Sequence, residues 1–301
     1  MKIIVLGSGS NGAVPQWDCP CPNCSRARAN PSLRRTRSSV AVSSDGEGYA
    51  LIDASPDLKQ QLESVDLVPR SKEHGRYDRQ SPIHSVLLTH GHGDHCVGLF
   101  EFSTGKCFQI PVFGPPDLVR YLFGTKTSSR FFQDLGRLAR DYVKPFVLEE
   151  GNCISLVNGL RVTGFEVHHT DRLEDGSCFP SCTYGYEVET DGRRFVYTPD
   201  LGLIRDDLLD RIHGADLFML DGTFWWDDEL ARVSGLGKKS YELGHIPVEE
   251  SLKILKDVEV GRVVYTHINH TNPLLDPEQT MLEQLKEIGF EVSHDGMVVE
   301  L

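Results

Sequence analysis

The stretch VLLTHGHGDHCVGLF, residues 86–100, constrains this chain more than any other. Val86-Leu87-Leu88 closes an apolar run of the kind that forms a buried strand, and THGHGDH is the loop that leaves it. A loop at a strand terminus can aim several side chains at one point. His90, His92, Asp94 and His95 offer imidazole nitrogens and a carboxylate, a donor set that suits zinc, iron or manganese. Three of the chain's 12 histidines crowd into this loop, which a merely polar surface loop does not require.

One such loop cannot complete two metal sites, so further ligands should stand at other strand ends. FEVHHT ends a strand with His168 and His169, FVYTPD ends one with Asp200, and VVYTH ends one with His267. His245 precedes a helix start at Pro247. A single strand-end histidine is more often a surface or hydrogen-bonded residue than a ligand; the ordered set is the signal.

The rest of the chain supplies strands more often than long helices. MKIIVLG runs into Gly-Ser-Gly-Ser, and SSVAVSS and YALIDAS read as a hairpin around Asp45-Gly46 that leads into the helix PDLKQQLESV. GLRVTGFEVHH, CTYGYEVET and RRFVYTPD are strands, the last two joined at Asp191-Gly192. After these, helical and strand patterns alternate to the C-terminus. Strands that come both in hairpins and separated by helices predict an α/β (α+β) fold of two mixed sheets covered by helices. Residues 70–82 and 171–182 read as the long loops, and neither resembles an interdomain linker, so residues 1–301 are expected to form one domain.

Composition narrows the function. Asp plus Glu total 44 against 31 Lys plus Arg, a formal charge of -13 without a basic tract, which disfavours nucleic acid as a partner. No apolar run is long enough for a membrane span, and MKIIVLGSGSNG lacks the basic start and cleavage site of a signal peptide, so a cytoplasmic protein is expected.

Cys19, Cys21 and Cys24, three of eight cysteines, point to metal rather than disulfides in that setting. A closed tetrahedral zinc site needs a fourth ligand, and His270 is the candidate. It follows His267 by three residues on the same loop, so the two imidazoles can serve different metals. A redox sensor or three reduced thiols are the alternatives. Cys96, Cys107 and Cys153 lie in or beside apolar runs and are expected in the core, whereas nothing in the spacing settles Cys178 and Cys182.

The order strand, H-x-H-x-D-H, His, Asp, His resembles the metallo-β-lactamase superfamily, as does LIDASPDLKQQL. That resemblance implies an αββα sandwich with one or two metals (Fe2+, Zn2+ or Mn2+) at the edge between its sheets. It assigns His90, His92 and His169 to one metal and Asp94, His95 and His267 to the second, with Asp200 bridging. His168 is the alternative to His169, which is preferred because similar enzymes place the ligand before a small hydroxyl residue, here Thr170. Asp94, Asp200 and His245 are the candidate catalytic groups.

The segments LGSGSNGAVPQWDCPCPNCSRARA, LDGTFWWDDEL, THINHTNPLLD and HDGMVVEL are similar to the protein B family of pyrroloquinoline quinone (PQQ) biosynthesis. The C-x-C-x2-C element, a zinc-knot insertion near residues 17–30, and the H-x-H-x-D-H loop also resemble the cyclic phosphodiesterases of phosphonate breakdown. The first likeness implies oxidative hydroxylation of a tyrosine-derived precursor, or a carrier role for PQQ or its precursor; the second implies a dinuclear hydrolase. Many PQQ-family members lack one or both leading histidines and the acid at the Asp200 position, all of which this chain keeps.

A small or peptide-derived substrate is expected in either case, with a homodimer as the candidate assembly. Phe224, Trp225 and Trp226 could line a pocket for a planar substrate or pack in the core. Lys238, Lys239, Arg34, Arg35 and Arg37 could meet substrate anions, with a solvated charge run as the default.

Overall fold

A computed structural model describes the chain except residues 70–80, 105–108, 125–141, 157–158, 170–181 and 236. Two mixed seven-stranded sheets stack face to face with helices outside them. The first comprises β1 (Lys2–Gly7), β2 (Ser39–Ser43), β3 (Tyr49–Ile52), β4 (Ile83–Leu87), β5 (Ile110–Gly114), β6 (Val143–Val147) and β14 (Val298–Glu300). They run in the order β14-β1-β2-β3-β4-β5-β6. The second comprises β7 (Cys153–Ser155), β8 (Arg161–Val167), β9 (Thr183–Thr190), β10 (Arg193–Thr198), β11 (Leu217–Asp221), β12 (Val263–Thr266) and β13 (Phe290–Val292), in the order β13-β12-β11-β10-β9-β8-β7.

Alternation along β1 shows why these sequences stack. Ile3 and Val5 face the other sheet, where they join Tyr186, Phe195, Tyr197 and Met219 in the central core. Ile4 and Leu6 face outward, into a core with Leu58 of α2 (Leu58–Ser64) and Leu118 and Leu122 of α4 (Pro116–Phe123). Both faces are buried, so the strand reads as a continuous apolar run instead of alternating with polar residues. The second sheet is covered in the same way by α5 (Asp206–Ile212), α7 (Val248–Leu255) and α8 (Met281–Glu287), through Leu208, Ile212, Val248, Leu255 and Leu285. Helices α1 (Pro22–Ala29), α3 (Gly93–Cys96) and α6 (Glu229–Ser234) lie next to the site described below.

Two turns follow local chemistry. Asp191 and Gly192 both have positive φ (50° and 75°), the conformation that a two-residue hairpin between β9 and β10 demands. Gly46, at φ 79°, serves the β2–β3 hairpin. No helix among the described residues is long and apolar enough to cross a membrane. The C-terminal segment divides between the sheets, β13 pairing with β12 and β14 with β1, so the last residues clamp the two edges.

Candidate metal centre

Six strand termini open on one edge of the sandwich, and each delivers a polar residue immediately after its apolar run. Asp53 follows β3, His90 to His95 follow β4, His169 follows β8, Asp200 follows β10, Asp221 closes β11 and His267 follows β12. Asp53 and His267 have positive φ, 65° and 58°, a strained conformation for residues other than glycine. Packing of the flanking strands holds them there.

The side chains converge in overlapping groups whose ligand atoms lie within 4.8 Å of one another: His90 with His92 and His169; Asp94 with His95 and His267; His90 with His95 and Asp200; His169 with Asp200 and His245. Asp200 therefore stands between the first two triads. Its Oδ2 is 3.2 Å from Nε2 of His95, and its Oδ1 is 3.6 Å from Nε2 of His267 and 3.9 Å from Nε2 of His169. His168 is exposed, so it is His169 that the fold turns into the cluster. Thr170 lies outside the described residues.

Each inward imidazole is oriented from behind. Nδ1 of His95 is 2.7 Å from Asp53, Nδ1 of His245 is 2.6 Å from Asp221, Nδ1 of His267 is 2.8 Å from the Thr223 hydroxyl, and Nδ1 of His169 is 2.8 Å from the Gly244 carbonyl. The Thr89 hydroxyl donates to Asp53 and can then accept from Nδ1 of His90, 3.0 Å away. With the Nδ1 proton directed outward, the neutral form of each ring presents the Nε2 lone pair to the cluster, the tautomer that a metal ligand requires. His92 is turned the other way, its Nδ1 lying 2.8 Å from Nε2 of His90.

The donor set fits a cation by a second criterion. Nε2 of His95 and of His267 and Oδ2 of Asp200 are buried and make no hydrogen bond among the described residues, although Nε2 of His95 lies 3.3 Å from Asp94 and Nε2 of His267 lies 3.5 Å from it. Buried polar atoms left in this state are costly unless an ion or water completes them. The electrostatics agree. Burial, and then the neighbouring His95, hold His90 well below the usual imidazole range, so it is neutral. For Asp200, burial alone would favour the protonated acid, but His267, His95, His90 and His169 outweigh it and keep the carboxyl ionised. A metal ion would supply the positive charge that protonated His95 otherwise carries.

Beside this cluster, Cys19, Cys21, Cys24 and His270 form a separate group of the same compactness. Sγ of Cys21 is 3.6 Å from Nδ1 of His270 and, as the N-cap of α1, accepts from the Cys24 amide at 3.5 Å. Asn23 secures the far side by donating to the carbonyls of His270 and Asn272 at 2.9 and 3.0 Å. Burial pushes the Cys24 thiol up to about 12, so only a bound cation would make this group a thiolate site near neutral pH.

A cavity of about 730 Å³ opens over the metal cluster, with His92, Asp94, Asp200, His245 and His267 at its base. Phe224 lines it, whereas Trp225 packs into the core and Trp226 stacks beneath the Arg232 guanidinium. Of the basic residues, Arg37 lines the cavity and is paired with Asp57, and Lys239 pairs with Asp227 at 3.4 Å. Cys96 is buried as expected, but Cys153 is exposed: β7 is a three-residue edge strand, and its apolar neighbours do not enclose the thiol. Cys182 is exposed, and Cys107 and Cys178 lie outside the described residues.

The sequence reading did not single out Asp53, Asp221, Thr89, Thr223 or Gly244. The two aspartates carried a usable signal, since LID and FMLD end apolar strands in an acid just as VYTPD does. The other three act through a hydroxyl or a carbonyl that no spacing reveals.

The model of the beta-lactamase superfamily domain matches residues 49–268. Coenzyme PQQ synthesis protein B of Methylorubrum extorquens strain PA1 is 37% identical over 313 aligned residues that span all of both chains. The protein of the same name from Rhizobium meliloti strain 1021 is 35% identical over all of this chain and 98% of its own. Among solved structures, Zn2+-bound PqqB from Methylobacterium extorquens superposes with a TM-score of 0.89 at 35% identity, each chain fully covered. A diphosphatase of the PhnP family shares the fold, with a TM-score of 0.70 at 22% identity over 100% of this chain and 97% of its own. The chain thus belongs to the coenzyme PQQ synthesis protein B family, within the beta-lactamase superfamily.

Proposed function

We propose that this chain is a metalloenzyme of PQQ synthesis that hydroxylates a tyrosine-derived precursor at a centre able to hold two metals. The observation that carries the reading is the pair of ligand triads, with Asp200 between them, at the base of a cavity with an aromatic wall. His90, His92 and His169 would hold one ion and Asp94, His95 and His267 the other, with Asp200 between them. When bound, iron there would supply the redox chemistry that side chains lack. The overall step inserts one atom of dioxygen into an aromatic C–H bond; the other leaves as water, with two electrons from an external reductant and two protons.

The chain's own part is to bind, orient and move protons. His245, backed by Asp221 and within reach of His169 and Asp200, is the group placed to hold or deliver a proton, with Asp94 and Asp200 as its carboxylate counterparts. Trp17 supports an aromatic substrate. It lines the cavity and is 89% exposed, yet its backbone is pinned, because Arg28 donates to the carbonyls of Gln16, Trp17 and Cys19 at 2.6, 3.2 and 2.6 Å. A large apolar ring held bare on a fixed loop, in a cavity that Phe224 also lines, suits stacking on a planar ligand.

A second reading, dinuclear hydrolysis, is favoured by the complete ligand set itself: two zinc or manganese ions sharing a carboxylate would lower the pKa of water and stabilise a leaving oxygen. The experiment that separates the two loads the protein with iron or with zinc and follows dioxygen uptake with tyrosine-containing peptides against cleavage of a phosphodiester. Oxygen uptake coupled to substrate hydroxylation supports the first reading, and phosphodiester cleavage without it replaces the first by the second.

A further inference from the structure

A second cavity, of about 310 Å³, lies on the far side of the cysteine group and shares no lining residue with the one over the metal cluster. Three guanidinium groups reach it, from Arg26 on α1 and from Arg34 and Arg35 ahead of β2. In a chain of net charge -13 this is a local reversal of sign.

Asp295 beside Arg35 and Asp276 paired with Arg26 offset two of these charges and leave an excess of one. Asp295 accepts from the amide and hydroxyl of Ser8 at 2.9 and 2.7 Å and from the amide and hydroxyl of Thr36, both at 2.7 Å, so both oxygens are fully engaged. Arg35 makes no ion pair among the described residues; only its Nη1 is bonded, to the Ser8 hydroxyl at 2.9 Å and to the Ser293 carbonyl. Burial lowers the Arg35 guanidinium to about 10 even though Asp295 acts in the opposite sense. Arg26 is satisfied by Asp276 and Asn23 at its two terminal nitrogens, but its buried Nε has no partner among the described residues. Arg34 is exposed and, among the described residues, bonds only the Ala27 carbonyl, at 3.2 Å. Unspent guanidinium donors in a fixed fork match the two oxygens of a carboxylate or phosphate. The remaining wall is mixed: Leu274 and Leu275, from the turn that follows His270, give it an apolar side, and Asn23, Ser32 and His294 are polar.

We propose that this cavity binds a small organic oxyanion, a carboxylate or phosphate on an apolar body, with the anion on Arg34 and Arg35 and the body against Leu274 and Leu275. The volume is at the lower end of ligand pockets, which sets the size at about that of a substituted benzoate. Such an occupant would also sit against Asn23, whose side chain holds the His270 carbonyl, and so would brace the cysteine group from behind.

The test uses metal-loaded, full-length protein and two probes, 4-bromobenzoate and phenyl phosphate. Crystals soaked with 4-bromobenzoate should show bromine anomalous density in this cavity. Calorimetry should find affinity for at least one probe reduced roughly tenfold by Arg34→Gln, an exposed change that leaves the fold intact. Arg35→Lys, which keeps the charge and loses the fork, should weaken binding in the same direction, with thermal unfolding as the check on folding. The preferred headgroup is whichever probe binds more tightly. Bromine found only at the metal cluster, no binding of either probe, or equal affinities in wild type and Arg34→Gln would overturn the proposal.

Discussion

Oδ2 of Asp53 lies 2.7 Å from Nδ1 of His95, and both side chains are buried. The carboxylate fixes the ring so that Nε2 faces Asp94 and Asp200. A buried acid behind a ligand histidine raises its basicity and sets its tautomer. Asp53→Asn keeps the shape and removes the charge, so affinity for the active-site metal should fall by about 10-fold to 100-fold. Competition against a chelator measures this, and unchanged affinity would remove Asp53 from the account.

The Asp221–His245 pair should behave differently. His245→Gln is expected to leave the two triads loaded while turnover falls by about two to four orders of magnitude, the usual worth of a positioned acid or base. Metal analysis beside steady-state rates separates the roles; loss of metal with loss of rate would make His245 a ligand instead.

His168 and His169 give a paired test. His169→Ala should lower active-site metal occupancy, and His168→Ala, at an exposed position, should not. The reverse result would mean that the loop after β8 binds metal in another conformation.

Cys21→Ser removes one thiol donor of the Cys19, Cys21, Cys24 and His270 group and keeps an N-cap acceptor for α1. Loss of a structural metal belongs to the large destabilisations, so a drop on the order of 3 kcal/mol or more is expected. Denaturant unfolding with and without chelator is the measurement. If the chelator affects wild type and variant equally, the group is not a stabilising metal site.

Glu229, bonded to the residue that follows His270, provides a pH signature. Burial raises its pKa from 4.5 to about 7, against the opposing hydrogen bonds from the Thr271 hydroxyl and the Trp225 amide. The folded chain then keeps a proton that the unfolded chain releases between those values. Its contribution is complete below pH 4.5 and is lost as pH rises through about 7. The shift corresponds to roughly 3 kcal/mol. Glu229→Gln should therefore gain stability relative to wild type between pH 5 and 8, and parallel stability profiles would contradict the assignment.

Much of the site was legible because it is local. His90, His92, Asp94 and His95 share one loop, and Cys19, Cys21 and Cys24 another, so residue type and spacing alone expose them. Asp200 and His267 could be read from their position after apolar strands. The choice between His168 and His169 could not, since adjacent residues at a strand end point to opposite faces and only the packed sheet decides. Asp53 and Asp221 escaped because an aspartate after a strand is common, and its partner histidine is 42 residues away for one and 24 for the other. Cys153 misled because apolar neighbours on a short edge strand give no enclosure.

The most direct test of the central claim is the element-resolved metal content of protein prepared without oxygen. The account predicts one tightly held zinc in the cysteine group together with iron at the Asp200 cluster, two atoms at saturation. Protein that retains zinc in the cysteine group and takes up no metal at the cluster would contradict it.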